Sequence, residues 1–135
     1  MSVDAAGPVI ANSRAHQELA VRSPVFVMGC GHSGTTLVKE LIGSHSRILK
    51  TPDDVKLFRL EPDEREETIR RWNVEALSGG CHRWLDKMAT YVHDIAAILA
   101  RFPDALLIVV VRDGRDVAVS LRKRYGDFAR GVTRS

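Results

Sequence analysis

The strongest chemical signal in this chain is the run Gly29-Cys30-Gly31-His32-Ser33-Gly34-Thr35-Thr36. Gly29 and Gly34 bracket four residues and two threonines follow, the frame in which backbone N–H groups can curl toward one point. A helix starting there adds the partial positive charge of its N-terminus, so the chemistry expected is phosphate-type anion binding. In the ATP- and GTP-binding version of this loop a lysine stands where Thr35 stands and reaches the β and γ phosphates. Its absence removes the main clamp for phosphoryl transfer. A second cluster is the charged turn Arg112-Asp113-Gly114-Arg115, which follows an apolar run and opens a basic segment. A third is Thr51-Pro52-Asp53-Asp54, where proline and paired aspartates signal a turn. His45 reads as a helix-end residue, and His82 and His93 as surface residues. No pair of histidines has ligand spacing with an acid, so no metal site is expected.

These clusters need elements to hold them. Pro24 to Met28 is a continuous apolar run, the pattern of a strand buried on both faces. Thr36 to Ser44 carries Leu37, Val38, Leu41 and Ile42 at helical spacing, so strand, tight turn and helix are contiguous. A short extended piece around Ile48-Leu49 precedes the aspartate turn. From Pro62, leading acids and trailing arginines with Ile69, Trp72 and Ala76 on one face predict a helix that ends at Ser78-Gly79-Gly80. Val92, Ile95, Ala96 and Leu99 predict another, stopping before Phe102-Pro103-Asp104. Ala105 to Val111 is short and rich in branched residues and reads as a second central strand, followed by a helix over 114–125 with Val117 and Leu121 inward. Strands alternating with helices imply right-handed crossovers, a parallel sheet and a three-layer α/β architecture. Ligands bind such sheets at the carboxyl ends of strands, so the two loaded turns, 29–36 and 112–115, are expected to face one ligand.

The stretch PVFVMGCGHSGTTLVKELIGSHSRI resembles the 5′-phosphosulfate-binding loop of sulfotransferases, and ARFPDALLIVVVRDGRDVAVSL is similar to that family's 3′-phosphate-binding segment. RWLDKMATYVHDI resembles its short Asp-Lys element. Together they span about residues 24 to 122 in the family's order. The resemblance implies an incomplete sulfotransferase-type domain with a phosphate-loop-like strand-turn-helix, using 3′-phosphoadenosine 5′-phosphosulfate as cosubstrate and no metal. Gly31, His32, Ser33, Gly34, Thr35 and Thr36 would hold the 5′-phosphosulfate, and Arg112 and Ser120 the 3′-phosphate. His32 stands where the family commonly has arginine or lysine, and would stabilise the leaving group with Lys87 as a second cation. The base would be Asp53 or Asp54, with Asp54 preferred. The acceptor, a carbohydrate, tyrosine, lipid or small alcohol, is left open. Two other readings stay beside this one: a nucleotide-binding phosphotransferase or hydrolase, and a non-catalytic remnant of a sulfotransferase.

The composition fits that picture. Of 135 residues 44% are hydrophobic and 27% charged, an ordinary globular balance that excludes collagen-like and disordered classes. Residues 1–22 read as a lead-in with a short helix at 13–21, and 23–135 as one domain, whose later helices and adenine-covering segment are expected to be missing. Cys30 and Cys81 are too few for a disulfide framework. The longest apolar run, Ala105 to Val111, is far below the roughly 20 residues that span a bilayer, so no membrane span is expected. With no basic-then-apolar leader, a cytoplasmic location is the expectation. The net charge of +3 conceals a segment, 112–135, with seven basic residues against three acidic ones and +4 of its own. That suggests an anionic partner. The tail offers only Tyr125 and Phe128 as aromatics, so nucleic acid is not the expected one.

Overall fold

The computed structural model describes residues 21–125. All but Val21 of the helix expected at 13–21 lies outside the described residues, as do Asp127, Phe128, Arg130 and Arg134. Four strands, β1 (Val25–Gly29), β2 (Ile48–Lys50), β3 (Arg83–Lys87) and β4 (Leu106–Val110), form one sheet in the order β2-β3-β1-β4. Every pairing is parallel. The helices are α1 (Thr35–Gly43), α2 (Pro62–Ser78), α3 (Ile95–Arg101) and α4 (Gly114–Tyr125), with 3-10 turns at Leu57–Arg59 and Ala89–His93. Parallel neighbours cannot be joined by hairpins, and here α1, α2 and α3 carry the crossovers. From β1 the chain runs outward to β2, returns as β3, and then crosses to the other side of β1 as β4. The carboxyl end of β1 is therefore the point where the winding reverses, the place where doubly wound sheets bind ligands.

Both sheet faces are covered. On one, α1 packs Val38 and Ile42 over Val25, Val27 and Leu85. On the other, Ile69 and Trp72 of α2, Leu57 and Ile98 close over Phe26, Met28, Trp84 and Tyr91. Trp72 and Trp84 meet at 5.0 Å between ring centroids, and Trp84 Nε1 donates to Asn73 Oδ1 at 2.9 Å. Full burial of such side chains stabilises by about 1.5–3 kcal/mol each. The expected inward faces of α2 (Ile69, Trp72, Ala76) and of α4 (Val117, Leu121) are all buried.

Four elements differ from the sequence reading. β3 was not expected as a strand, because only Trp84 and Leu85 are apolar between Arg83 and the polar pair Asp86-Lys87; yet it is central, paired on both sides. β4, expected to be central, forms an edge of the sheet among the described residues, with Leu106 and Val109 exposed. The helix expected across Val92 to Leu99 breaks at Asp94 into a 3-10 turn and α3, so that Ile98 is buried while Ala96 and Leu99 are exposed. In α1 the inward face is Thr35, Val38, Lys39 and Ile42, while Leu37 and Leu41 stand 64% and 65% exposed. Positions i, i+3, i+4 and i+7 describe that face well, but one of its members is a lysine and apolar periodicity passed over it.

Candidate functional site

The loop between β1 and α1 is shaped by close approach. Gly29 pairs with Val110 of β4, and a Cβ on it would lie 2.5 Å from the Val110 carbonyl oxygen and 3.0 Å from Ser33 Oγ, so glycine alone fits. Ser33 N donates to the Cys30 carbonyl at 3.1 Å, closing a turn in which His32 takes a left-handed conformation. Gly34 follows with φ +102°, a value glycine adopts without strain. Around Gly31 and Gly34 the space is open. Among the described residues no side chain caps the first turn of α1, which begins at buried Thr35 and exposed Thr36. The Ser33 hydroxyl is buried and has no hydrogen-bond partner among the described residues. A buried orphan hydroxyl beside an uncapped helix N-terminus is what an anion-binding loop offers before its ligand arrives.

The second turn comes to the first because β4 lies beside β1. Arg112 follows the end of β4 and its Nη1 donates to the His32 carbonyl oxygen at 3.3 Å. Sequence spacing could not show this contact across 80 residues; adjacency of the strands produces it. Ser120 lies two turns into α4, half-buried. Beside them Arg115 is tied to Asp113, Nη2 to Oδ2 at 2.8 Å, which holds the Asp113 carboxyl below the usual carboxylate range.

The third cluster gathers where β2 and β3 end. Thr51 N donates to the Leu85 carbonyl at 3.0 Å, extending the β2–β3 ladder by one residue, and Thr51 Oγ1 donates to Asp86 Oδ1 at 2.7 Å. Asp86 is buried and also accepts from the Tyr91 hydroxyl. Burial first, then the Asp86 charge, pushes the Tyr91 phenol far above its ordinary range, so it stays a donor. Lys87, the last residue of β3, is 15% exposed, with its Nζ 3.9 Å from Asp53 Oδ1. The same oxygen accepts from Lys39 Nζ at 2.7 Å. That hydrogen bond is the main reason the Asp53 carboxyl lies below its ordinary value; Lys87 and Lys50 add to it and partial burial opposes it. Asp54 is exposed and left-handed, φ 62°, the geometry of a turn residue. Of the two aspartates it is Asp53 that stands against Lys87. Sequence reasoning passed over Lys39 and gave no role of their own to Thr51, Asp86 and Tyr91, although all three stand in segments it singled out. The signal available for Lys39 was its place on the apolar face of α1.

A protein-family model described as "Sulfotransferase family" matches residues 58–134, more than half of the chain. The chain belongs to the sulfotransferase family. The matched residues take in Lys87, Arg112 and Ser120, whereas the 29–36 loop precedes them and is brought to Arg112 by the sheet. The chain is also similar, 28% identical over 126 aligned residues, to an uncharacterized protein of Aquifex aeolicus (strain VF5). That alignment covers 73% of this chain and 17% of the relative, so the chain matches about a sixth of that protein's length. No solved structure matches. The four-stranded parallel sheet flanked by helices is consistent with a sulfotransferase-type domain. Among the described residues there is no group of three histidines, cysteines, aspartates or glutamates that could hold a metal, and no helix long and apolar enough to cross a membrane.

Proposed function

We propose that this chain binds 3′-phosphoadenosine 5′-phosphosulfate and serves sulfuryl transfer to an acceptor hydroxyl or amine. The observation that carries the reading is the meeting of the two turns, Arg112 Nη1 at 3.3 Å from the His32 carbonyl, on a loop whose Ser33 hydroxyl is buried and, among the described residues, unpartnered. The open space at Gly31 and Gly34 and the uncapped start of α1 fit an anionic group as well. When bound, the cosubstrate supplies the activated sulfuryl group and a phosphate leaving group. The N–H groups and hydroxyls of Ser33, Gly34, Thr35 and Thr36 hold the 5′ end, as a preorganised donor set held in place by the fold. Arg112 and Ser120 hold the 3′-phosphate. His32 donates a hydrogen bond to the leaving oxygen, and does so more strongly as imidazolium. Lys87 stands at the sulfuryl oxygens. Asp53, rather than Asp54, takes the acceptor proton, because it is the carboxylate beside Lys87.

Calorimetric titration with 3′-phosphoadenosine 5′-phosphate, and separately with magnesium-ATP, tests the reading. The bisphosphate should bind in preference to magnesium-ATP. Arg112→Ala should weaken it by on the order of 1.5–3 kcal/mol, the worth of a charge-assisted hydrogen bond. Preference for magnesium-ATP, or no binding of either, would overturn the assignment.

A further inference from the structure

Lys39 is 1% exposed, an ammonium placed where α1 turns its face to the sheet. A buried charge of this kind is destabilising unless it is paired and hydrogen-bonded, and an apolar residue of similar size would fill the space without that penalty. The fold provides two acceptors: the Thr51 carbonyl oxygen at 2.6 Å and Asp53 Oδ1 at 2.7 Å. Both lie in the loop that follows β2. Lys39 itself lies one turn beyond Thr35, on the helix that springs from the anion loop. Thr51 is anchored from its other side by Leu85 and Asp86 of β3. The loop is thus held between α1 and β3, while the Asp53 side chain remains 56% exposed and within reach of an incoming molecule.

We infer that Lys39 is a positioning residue: it fastens the 51–54 loop to α1 and fixes where the Asp53 carboxylate stands relative to the anion loop and Lys87. The inference rests on the proposed sulfuryl transfer for its consequence, but the clamp can be measured apart from it. Among the described residues the charged groups facing Asp53 are Lys39 from α1, Lys87 from β3 and Lys50 from β2, the last already paired with Glu40 at 2.6 Å; Asp54 neighbours it in the loop. Lys39 makes the shortest of these contacts with Asp53 and is the only one of the three lysines fully buried. Its ammonium therefore works against the least solvent screening.

The test compares wild type, Lys39→Met and Lys39→Arg by carboxyl-carbon NMR titration of Asp53, amide exchange over 51–54, and calorimetry with 3′-phosphoadenosine 5′-phosphate. In Lys39→Met the Asp53 midpoint should move to higher pH and the loop amides should exchange faster. Lys39→Arg should restore both toward wild type, and bisphosphate affinity should stay the same across the three. Where an acceptor supports turnover, the acid limb of the kcat/KM profile should shift upward in Lys39→Met together with the midpoint. An unmoved Asp53 midpoint with unchanged loop exchange would overturn the inference. If Lys39→Met does not fold, the wild-type Lys39 ammonium protons give the same test: slow solvent exchange, accelerated in Asp53→Asn, supports the clamp, and fast exchange in wild type overturns it. A moved midpoint in a protein that binds no bisphosphate would uphold the clamp and overturn the functional reading instead.

Discussion

The two loops at the carboxyl end of the sheet are built on opposite plans. The loop from Gly29 to Thr35 holds no lysine, arginine or carboxylate, is glycine-rich and, among the described residues, is left with an unpartnered buried hydroxyl and an uncapped helix start. The loop from Thr51 to Asp54 is charged and tied down by hydrogen bonds to α1, β3 and, through Asp86, to Tyr91. The difference fits the proposed role of each. A loop for an anion must keep donors free until the ligand satisfies them, at some cost to the free protein. A loop presenting a carboxylate must hold it against neighbouring cations in one place, so its bonds are made within the chain. Removing a donor from the first should separate binding from stability; substitutions in the second should join positioning to chemistry.

The largest effect should come from removing the carboxylate. Asp53→Asn keeps the shape and should reduce transfer by roughly 10²–10⁴-fold, as expected for loss of a general base. The check is labelled sulfuryl transfer to a panel of acceptors, with bisphosphate affinity measured alongside and expected to be unchanged. Loss of affinity as well would mean that the two loops are not separable. Next is Gly29→Ala, which drives a methyl to within 2.5 Å of the Val110 carbonyl. Overpacking of this kind costs about 1–3 kcal/mol, to be read from urea denaturation, and should abolish bisphosphate binding by displacing the loop from β4.

Ser33→Ala sharpens the contrast. Since the hydroxyl is buried without a partner among the described residues, its removal should leave stability equal or raised by up to about 1 kcal/mol, while bisphosphate affinity falls. A thermal scan with calorimetry on the same sample reads both, and a loss of stability would show that the hydroxyl already has a partner. The smallest effect concerns pH. Asp53 has a folded-state pKa depressed below 3.8, so its stabilising contribution is complete above that value and is lost as pH falls through the depressed one. Half-exposure makes the contribution small. Glu66, lowered by its bidentate bond to Arg101 far from either loop, behaves the same way and serves as a control. Asp53→Asn and Glu66→Gln should each flatten part of the acid-side fall in melting temperature, whereas only Asp53→Asn should also reduce sulfuryl transfer.

Much of the fold was legible where hydropathy and chemistry agree. The β1 run, the glycine turn and the inward faces of α2 and α4 follow from apolar periodicity and stand where expected. Legibility failed where a polar residue does a core residue's job. Asp86 and Lys87 disguised a central strand because its buried carboxylate is satisfied by Thr51 and Tyr91, partners that lie outside any local window. Lys39 disguised the inward face of α1 for the same reason. In the candidate site, residue types named the anion loop, Arg112 and an aspartate pair, but not which aspartate.

By itself, then, the order of residues determined the local units: a strand ending in a glycine-rich loop, helices with defined faces, and the arginine and aspartates of two charged turns. Those are short-range properties, set by side-chain period and backbone freedom over a few positions. Only the tertiary structure decided that β4 lies beside β1, which carries Arg112 to the loop, and that α1 reaches over to grip Asp53. Contacts between residues 14 and 80 positions apart depend on strand order and on which buried charge finds a partner, and neither is written in any one segment.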